Sequence, residues 1–140
     1  MKVRDARTGR AAMTVSEHTT PAQGKVMLVE DDPMIRALTA EWIEDAGYAV
    51  SEFSNGGEAL RALRDEGACR VAVLDLSLPD MRGDDLAQEL RALQPGLALL
   101  FATGNGDDLS PATLGTPRTG VLRKPYSARD LAEAIESLTD

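Results

Sequence analysis

VAVLDLSLPD, residues 71–80, decides the architecture. The apolar, β-branched run Val71–Leu74 stops abruptly at Asp75, and Pro79 and Gly83 follow as turn signals. Such a run, bounded in this way, reads as a strand buried on both faces, the type found in parallel sheets. In open α/β sheets, ligands bind beyond the carboxyl ends of the strands, so a carboxylate at that edge is placed for chemistry. The plain alternative is an Asp that caps the following turn. The surrounding chain has to separate the two.

Outward from that stretch, strand and helix signals alternate. KVMLV (25–29) reads as a first strand that ends in Glu30-Asp31-Asp32. Asp32-Pro33 then opens a helix, with Asp as N-cap and Pro at the first helical position. Met34/Ile35, Leu38, Trp42 and Ala46 recur at helical spacing and predict its buried stripe, with Gly47 just past its end. Residues 48–53 predict a second strand, and 56–66 a helix that buries Ala59, Leu60 and Leu63. A helix over 84–93 carries Leu86, Leu90 and Leu93. LALLFA (97–102) predicts a fourth strand ending at Thr103, and GVLR (120–123) a fifth ending at Lys124-Pro125. Ser127-x-x-Asp130 is a capping box for a last helix through Leu131, Ile135 and Leu138.

Five strands alternating with helices imply βαβ units with right-handed crossovers, hence an α/β doubly wound parallel sheet. The crossover from Thr103 to Gly120 departs from the rhythm: six of its 18 residues are Gly or Pro, so its helix is expected to be short or irregular.

Composition narrows the function. The 140 residues suffice for one domain, and 43% hydrophobic with 27% charged residues is ordinary for a globular protein. No apolar run reaches membrane-spanning length, and no secretory h-region is present, so the expected location is the cytoplasm. The single cysteine, Cys69, excludes an internal disulfide and reads as a core filler. The only histidine, His18, has no partner nearby in sequence, which argues against a Ser-His-Asp site or a histidine metal cage. The net charge of −8 disfavours direct nucleic-acid binding. Residues 1–24 carry Lys2, Arg4, Arg7 and Arg10 against Asp5 and Glu17, a net of +2 that leaves −10 on residues 25–140. That tail has no apolar period and is expected to be disordered, with Met13 an alternative start.

Glu30 and Asp31, Asp75, Thr103 and Lys124 all fall at the carboxyl ends of strands. Crowded carboxylates repel, and a proton or a bound cation must relieve them. A small hard divalent ion with oxygen ligands, Mg²⁺, fits. Thr103 and Lys124 could then hold two phosphoryl oxygens, with Asp75 as a nucleophile that forms an aspartyl phosphate. Taken singly, each residue has a structural explanation; the conjunction is far more specific.

VMLVEDDPMIR, VAVLDLSLPDMRG, FATGN and VLRKPYS resemble the receiver domain of two-component response regulators, over about Lys25 to Leu138. The resemblance implies a flavodoxin-like (βα)5 fold with Asp75 as phosphoacceptor. It implies that Asp31, Asp75 and the backbone carbonyl of Ser77 ligate the metal directly, with Glu30 acting through water. It also implies Thr103 and Lys124 as phosphoryl partners, and a cis bond before Pro125. The donor would be a sensor histidine kinase or a histidine phosphotransfer domain, and a downstream protein partner would read the signal. FATG (101–104) further resembles the FATGUY single-domain receivers of stress-response phosphorelays, and with nothing after Asp140 a stand-alone regulator is expected. One departure is Val121, where receivers carry Tyr or Phe. Two alternatives stand beside this reading. A haloacid-dehalogenase-type phosphatase needs an Asp where Ser77 stands, and an unphosphorylated pseudo-receiver usually lacks part of the acidic set.

Overall fold

The three central strands of the sheet end where their apolar runs end, at Val29, Asp75 and Thr103. The computed structural model describes residues 24–104, 109, 113 and 115–139. Its elements are β1 (Lys25–Val29), α1 (Pro33–Asp45), β2 (Ala49–Phe53), α2 (Gly56–Glu66), β3 (Val71–Asp75) and α3 (Gly83–Leu93). β4 (Ala98–Thr103), β5 (Thr119–Arg123) and α4 (Ala128–Thr139) complete them. The five strands form one parallel sheet in the order β2-β1-β3-β4-β5. This is the doubly wound, flavodoxin-like arrangement, and four helices lie among the described residues.

The sheet separates two cores. Met27, Val29, Leu74 and Phe101 face α2 and α3, whereas Val26, Leu28, Val73 and Leu100 face α1 and α4. Strict alternation along β1, β3 and β4 assigns neighbouring residues to opposite layers. Fully burying each such apolar side chain stabilises by about 1.5–3 kcal/mol.

Asp32 caps α1 as its sequence position implies, its Oδ1 accepting from the N–H groups of Met34 (2.9 Å) and Ile35 (3.1 Å). Gly47 follows the helix with φ +103°, the left-handed conformation that suits glycine. The Ser127–Asp130 box opens α4, each side chain accepting from the other residue's N–H. Cys69 is buried in the α2/α3 core, and that burial pushes its thiol pKa up. Among the described residues no helix is long and apolar enough to cross a membrane.

Two helical stripes differ from the spacing-based expectation. On α1, Met34 is 79% and Leu38 45% exposed, while Thr39, Ala40 and Ile43 are buried and Trp42 is half-buried. On α3, Leu93 is 44% exposed and Ala87 is buried with Leu86 and Leu90. In both helices a small residue lets the backbone approach the layer beneath, and the longer apolar side chain turns outward. Residues 1–23 of the expected tail, and residues 105–108, 110–112 and 114 of the expected irregular crossover, lie outside the described residues.

Candidate functional site

The loops at the carboxyl edge of β1, β3, β4 and β5 bring the sequence-singled residues together. Glu30, Asp31 and Asp75 each offer a carboxylate oxygen, and these lie within 4.8 Å of one another. Glu30 and Asp75 are buried, and Asp31 is exposed at the mouth. Lys124 reaches between the two buried acids, its Nζ 3.0 Å from Glu30 Oε1 and 3.4 Å from Asp75 Oδ1. The Ser77 N–H also points at Asp75 Oδ1, at 3.3 Å.

Burial raises the pKa of Glu30, and the Asp75 charge adds to it, although hydrogen bonds from the Asp32 N–H and Lys124 pull the other way. Burial acts on Lys124 to lower its pKa, but Glu30 and Asp75 more than offset that, so its ammonium titrates above the ordinary value. The lysine therefore stays charged at neutral pH and partly neutralises the acidic cluster.

Thr103 ends β4, where its carbonyl accepts from the Lys124 N–H at 2.8 Å. Its side-chain Oγ1 is buried and has no hydrogen-bond partner among the described residues. A buried hydroxyl left unpaired costs free energy, which a ligand oxygen would recover. The donor set as a whole, three carboxylates of a hard-oxygen kind beside an orphaned hydroxyl, suits a divalent cation and a phosphoryl group.

Sequence reasoning did not find several residues that hold this edge in place. Arg36 Nη1 donates to the Glu30 carbonyl at 2.8 Å, and its Nε lies 3.8 Å from Glu52. Asp80 reaches from the β3–α3 loop to the start of α2 and accepts from the N–H groups of Gly56 and Gly57, both at 2.9 Å. The one available signal was its place in a Pro-Asp turn. On the outer side, Thr39 and Tyr126 share a 2.8 Å hydroxyl–hydroxyl hydrogen bond, and the Tyr126 ring meets Trp42 edge-on with centroids 6.2 Å apart. Burial pushes the Tyr126 phenol up, which keeps it neutral. The Lys124–Pro125 bond is cis. Val121 is 40% exposed on the edge strand.

The pattern of the response regulator receiver domain matches residues 26–136. The chain belongs to that family. As a receiver it is 33% identical over 115 residues to the response regulator receiver protein CpdR of Brucella abortus, covering 81% of this chain and 95% of that protein. It is 31% identical to the sensor kinase CckA of the same organism, where 82% of this chain corresponds to only 12% of the kinase. Among solved structures, a receiver domain protein from Clostridium thermocellum shares 27% identity and a TM-score of 0.75, covering 82% of this chain and 93% of that one. A receiver protein from Sinorhizobium medicae has the same TM-score at 24% identity, covering 84% and 95%. Receiver domains are phosphorylated by histidine kinases and use Mg²⁺, and the acidic pocket of Glu30, Asp31 and Asp75 is consistent with such a site. Family membership removes the haloacid-dehalogenase alternative.

Proposed function

We propose that this chain is a stand-alone response regulator that takes a phosphoryl group on Asp75. The observation that carries this reading is the meeting of Glu30, Asp31 and Asp75 at the carboxyl edge, with their oxygens within 4.8 Å. Near full-length similarity to CpdR supports the stand-alone form. The FATG segment, Phe101–Gly104, supports placement with the FATGUY receivers and a stress phosphorelay.

In this reading an Asp75 carboxylate oxygen attacks the phosphorus of a phosphohistidine on a kinase or phosphotransfer domain. The new P–O bond forms as the P–N bond breaks. The electron pair stays on the imidazole nitrogen, which then takes a proton from solvent. Mg²⁺, held by Asp31, Asp75 and the Ser77 carbonyl with Glu30 through water, would supply charge neutralisation for the carboxylates and the phosphoryl oxygens. Lys124 turns from the carboxylates to one phosphoryl oxygen, and the Thr103 hydroxyl donates to another. The protein promotes only this transfer and its own dephosphorylation, in which water takes the phosphoryl group and frees the Asp75 carboxylate and inorganic phosphate. The phosphorylated form acts as relay intermediate, phosphate sink or switch for a protein partner.

Incubation with acetyl phosphate and Mg²⁺, followed by intact mass, tests the reading. One phosphoryl group should be added, and Asp75→Ala or a chelator should prevent it. Undiminished labelling of the Asp75→Ala protein would place the acceptor elsewhere.

A further inference from the structure

We propose that the Thr39–Tyr126 hydroxyl pair is a positioning strap that holds Lys124 over the acceptor carboxylate. The inference rests on Asp75 being the phosphoacceptor. Lys124 has a long, flexible side chain, so the location of its main chain decides where the ammonium falls. The Lys124 N–H is fixed to the Thr103 carbonyl at 2.8 Å, but Pro125 has no N–H to give. The next main-chain anchorage is the Ser127 capping box of α4. Between them the Tyr126 side chain crosses to α1, where its hydroxyl meets that of Thr39, a residue 1% exposed, at 2.8 Å.

The far end of the strap is equally well anchored to the site. The Asp32 N–H, at the cap of α1, donates to Glu30 Oε2 at 3.1 Å, and Arg36 one turn on holds the Glu30 carbonyl. Thr39 thus belongs to the frame that fixes Glu30, and Tyr126 to the turn that carries Lys124. The strap joins the two frames whose side chains form the 3.0 Å ion pair. Neither hydroxyl touches the reacting atoms, so both act through Lys124. A geometric error of this kind is what slows group transfer without removing any reacting group.

Acetyl phosphate labelling rates and Mg²⁺ affinity by calorimetry are compared for wild type, Tyr126→Phe, Thr39→Val, the double variant and Thr39→Ser. Tyr126→Phe keeps the ring against Trp42 and removes only the hydroxyl. Both it and Thr39→Val should label roughly tenfold more slowly. The double variant should be no slower than either, because each single change already breaks the same bond. Thr39→Ser, which keeps a hydroxyl, should label at the wild-type rate. Mg²⁺ affinity should stay unchanged throughout, since Glu30, Asp31 and Asp75 are untouched; a general loosening of the domain would lower affinity and rate together. Labelling of Tyr126→Phe at the wild-type rate overturns the strap, and so does a parallel loss of affinity and rate. Should Thr39→Val not fold, Tyr126→Phe set against Thr39→Ser still decides. A wild type that acetyl phosphate leaves unlabelled overturns the acceptor reading and the strap with it, whereas a labelled wild type with unaffected variants overturns the strap alone.

Discussion

Gly83 packs its Cα against the main-chain carbonyl of Asp75, so closely that a methyl group there would collide with it and with the Leu76 backbone. The Gly83 N–H also donates to the Leu76 carbonyl at 2.8 Å, closing the β3–α3 loop over the end of β3.

Gly83→Ala therefore has to push the loop away from backbone atoms that cannot yield. Overpacking of this kind costs about 1–3 kcal/mol, and denaturant midpoints should show that loss. Acetyl phosphate labelling should fall as well, because the displaced carbonyl belongs to the acceptor. A variant as stable and as readily labelled as wild type would show that the loop adapts freely.

Asp80 anchors the same loop from its other side by capping α2. Removing the cap in Asp80→Ala should cost about 1 kcal/mol. Hydrogen bonds from the Gly56 and Gly57 N–H groups lower the Asp80 pKa below the ordinary 3.8. The stabilisation is therefore fully present above the unfolded-state value and is lost as pH falls through the lower folded-state value. Unfolding curves for wild type and Asp80→Ala should separate near neutral pH and converge in strong acid, once the folded-state carboxyl is protonated. A gap that persists into strong acid would assign the effect to something other than the ionised carboxylate.

Asp31 is the exposed member of a crowded acidic group. Asp31→Asn removes like-charge repulsion, so the metal-free protein should melt at the same temperature as wild type or higher. Wild type should gain stability with Mg²⁺, by about 2.7 kcal/mol at a hundred times the dissociation constant. The variant should lose most of that gain. Thermal scans with and without Mg²⁺ read both effects, and a large drop in the metal-free melting point would make Asp31 structural.

Arg91 on α3 donates from Nε to the Leu97 carbonyl at 3.0 Å and from Nη2 to those of Pro117 (2.7 Å) and Arg118 (3.1 Å). It thereby pins the entrances to β4 and β5. Arg91→Ala should cost about 1–3 kcal/mol, with Arg91→Lys recovering only part because a single ammonium lacks the fork. Equal stability of the lysine variant and wild type would show that charge alone suffices.

The strands and the acidic edge were legible in the sequence because they depend on local signals. An apolar run that stops at Asp75 or Thr103 marks both the strand end and the site, and Asp32-Pro33 marks the helix that follows β1. The buried faces of α1 and α3 were not legible in full. Met34 and Leu38 have the right spacing, but the packed face is chosen by small residues, Ala40 and Thr39, that allow close approach. The Thr39 hydroxyl finds its partner 87 residues away, in Tyr126, and no local pattern encodes that separation. The same holds for Asp80, whose partners at Gly56 and Gly57 lie more than twenty residues earlier.

The division of the interior into two cores makes the sheet a partition. The Gly83 and Asp80 contacts lie on the α2/α3 side, and the Thr39–Tyr126 pair lies on the α1/α4 side. Residues so separated share few neighbours, and their effects on folding should add. The partition ends at the carboxyl edge, where Glu30, Asp75 and Lys124 contact one another directly across strand ends. The acidic pocket is thus a place where side chains from several strand ends meet irrespective of layer, so that an event at Asp75 bears on both sides of the sheet at once.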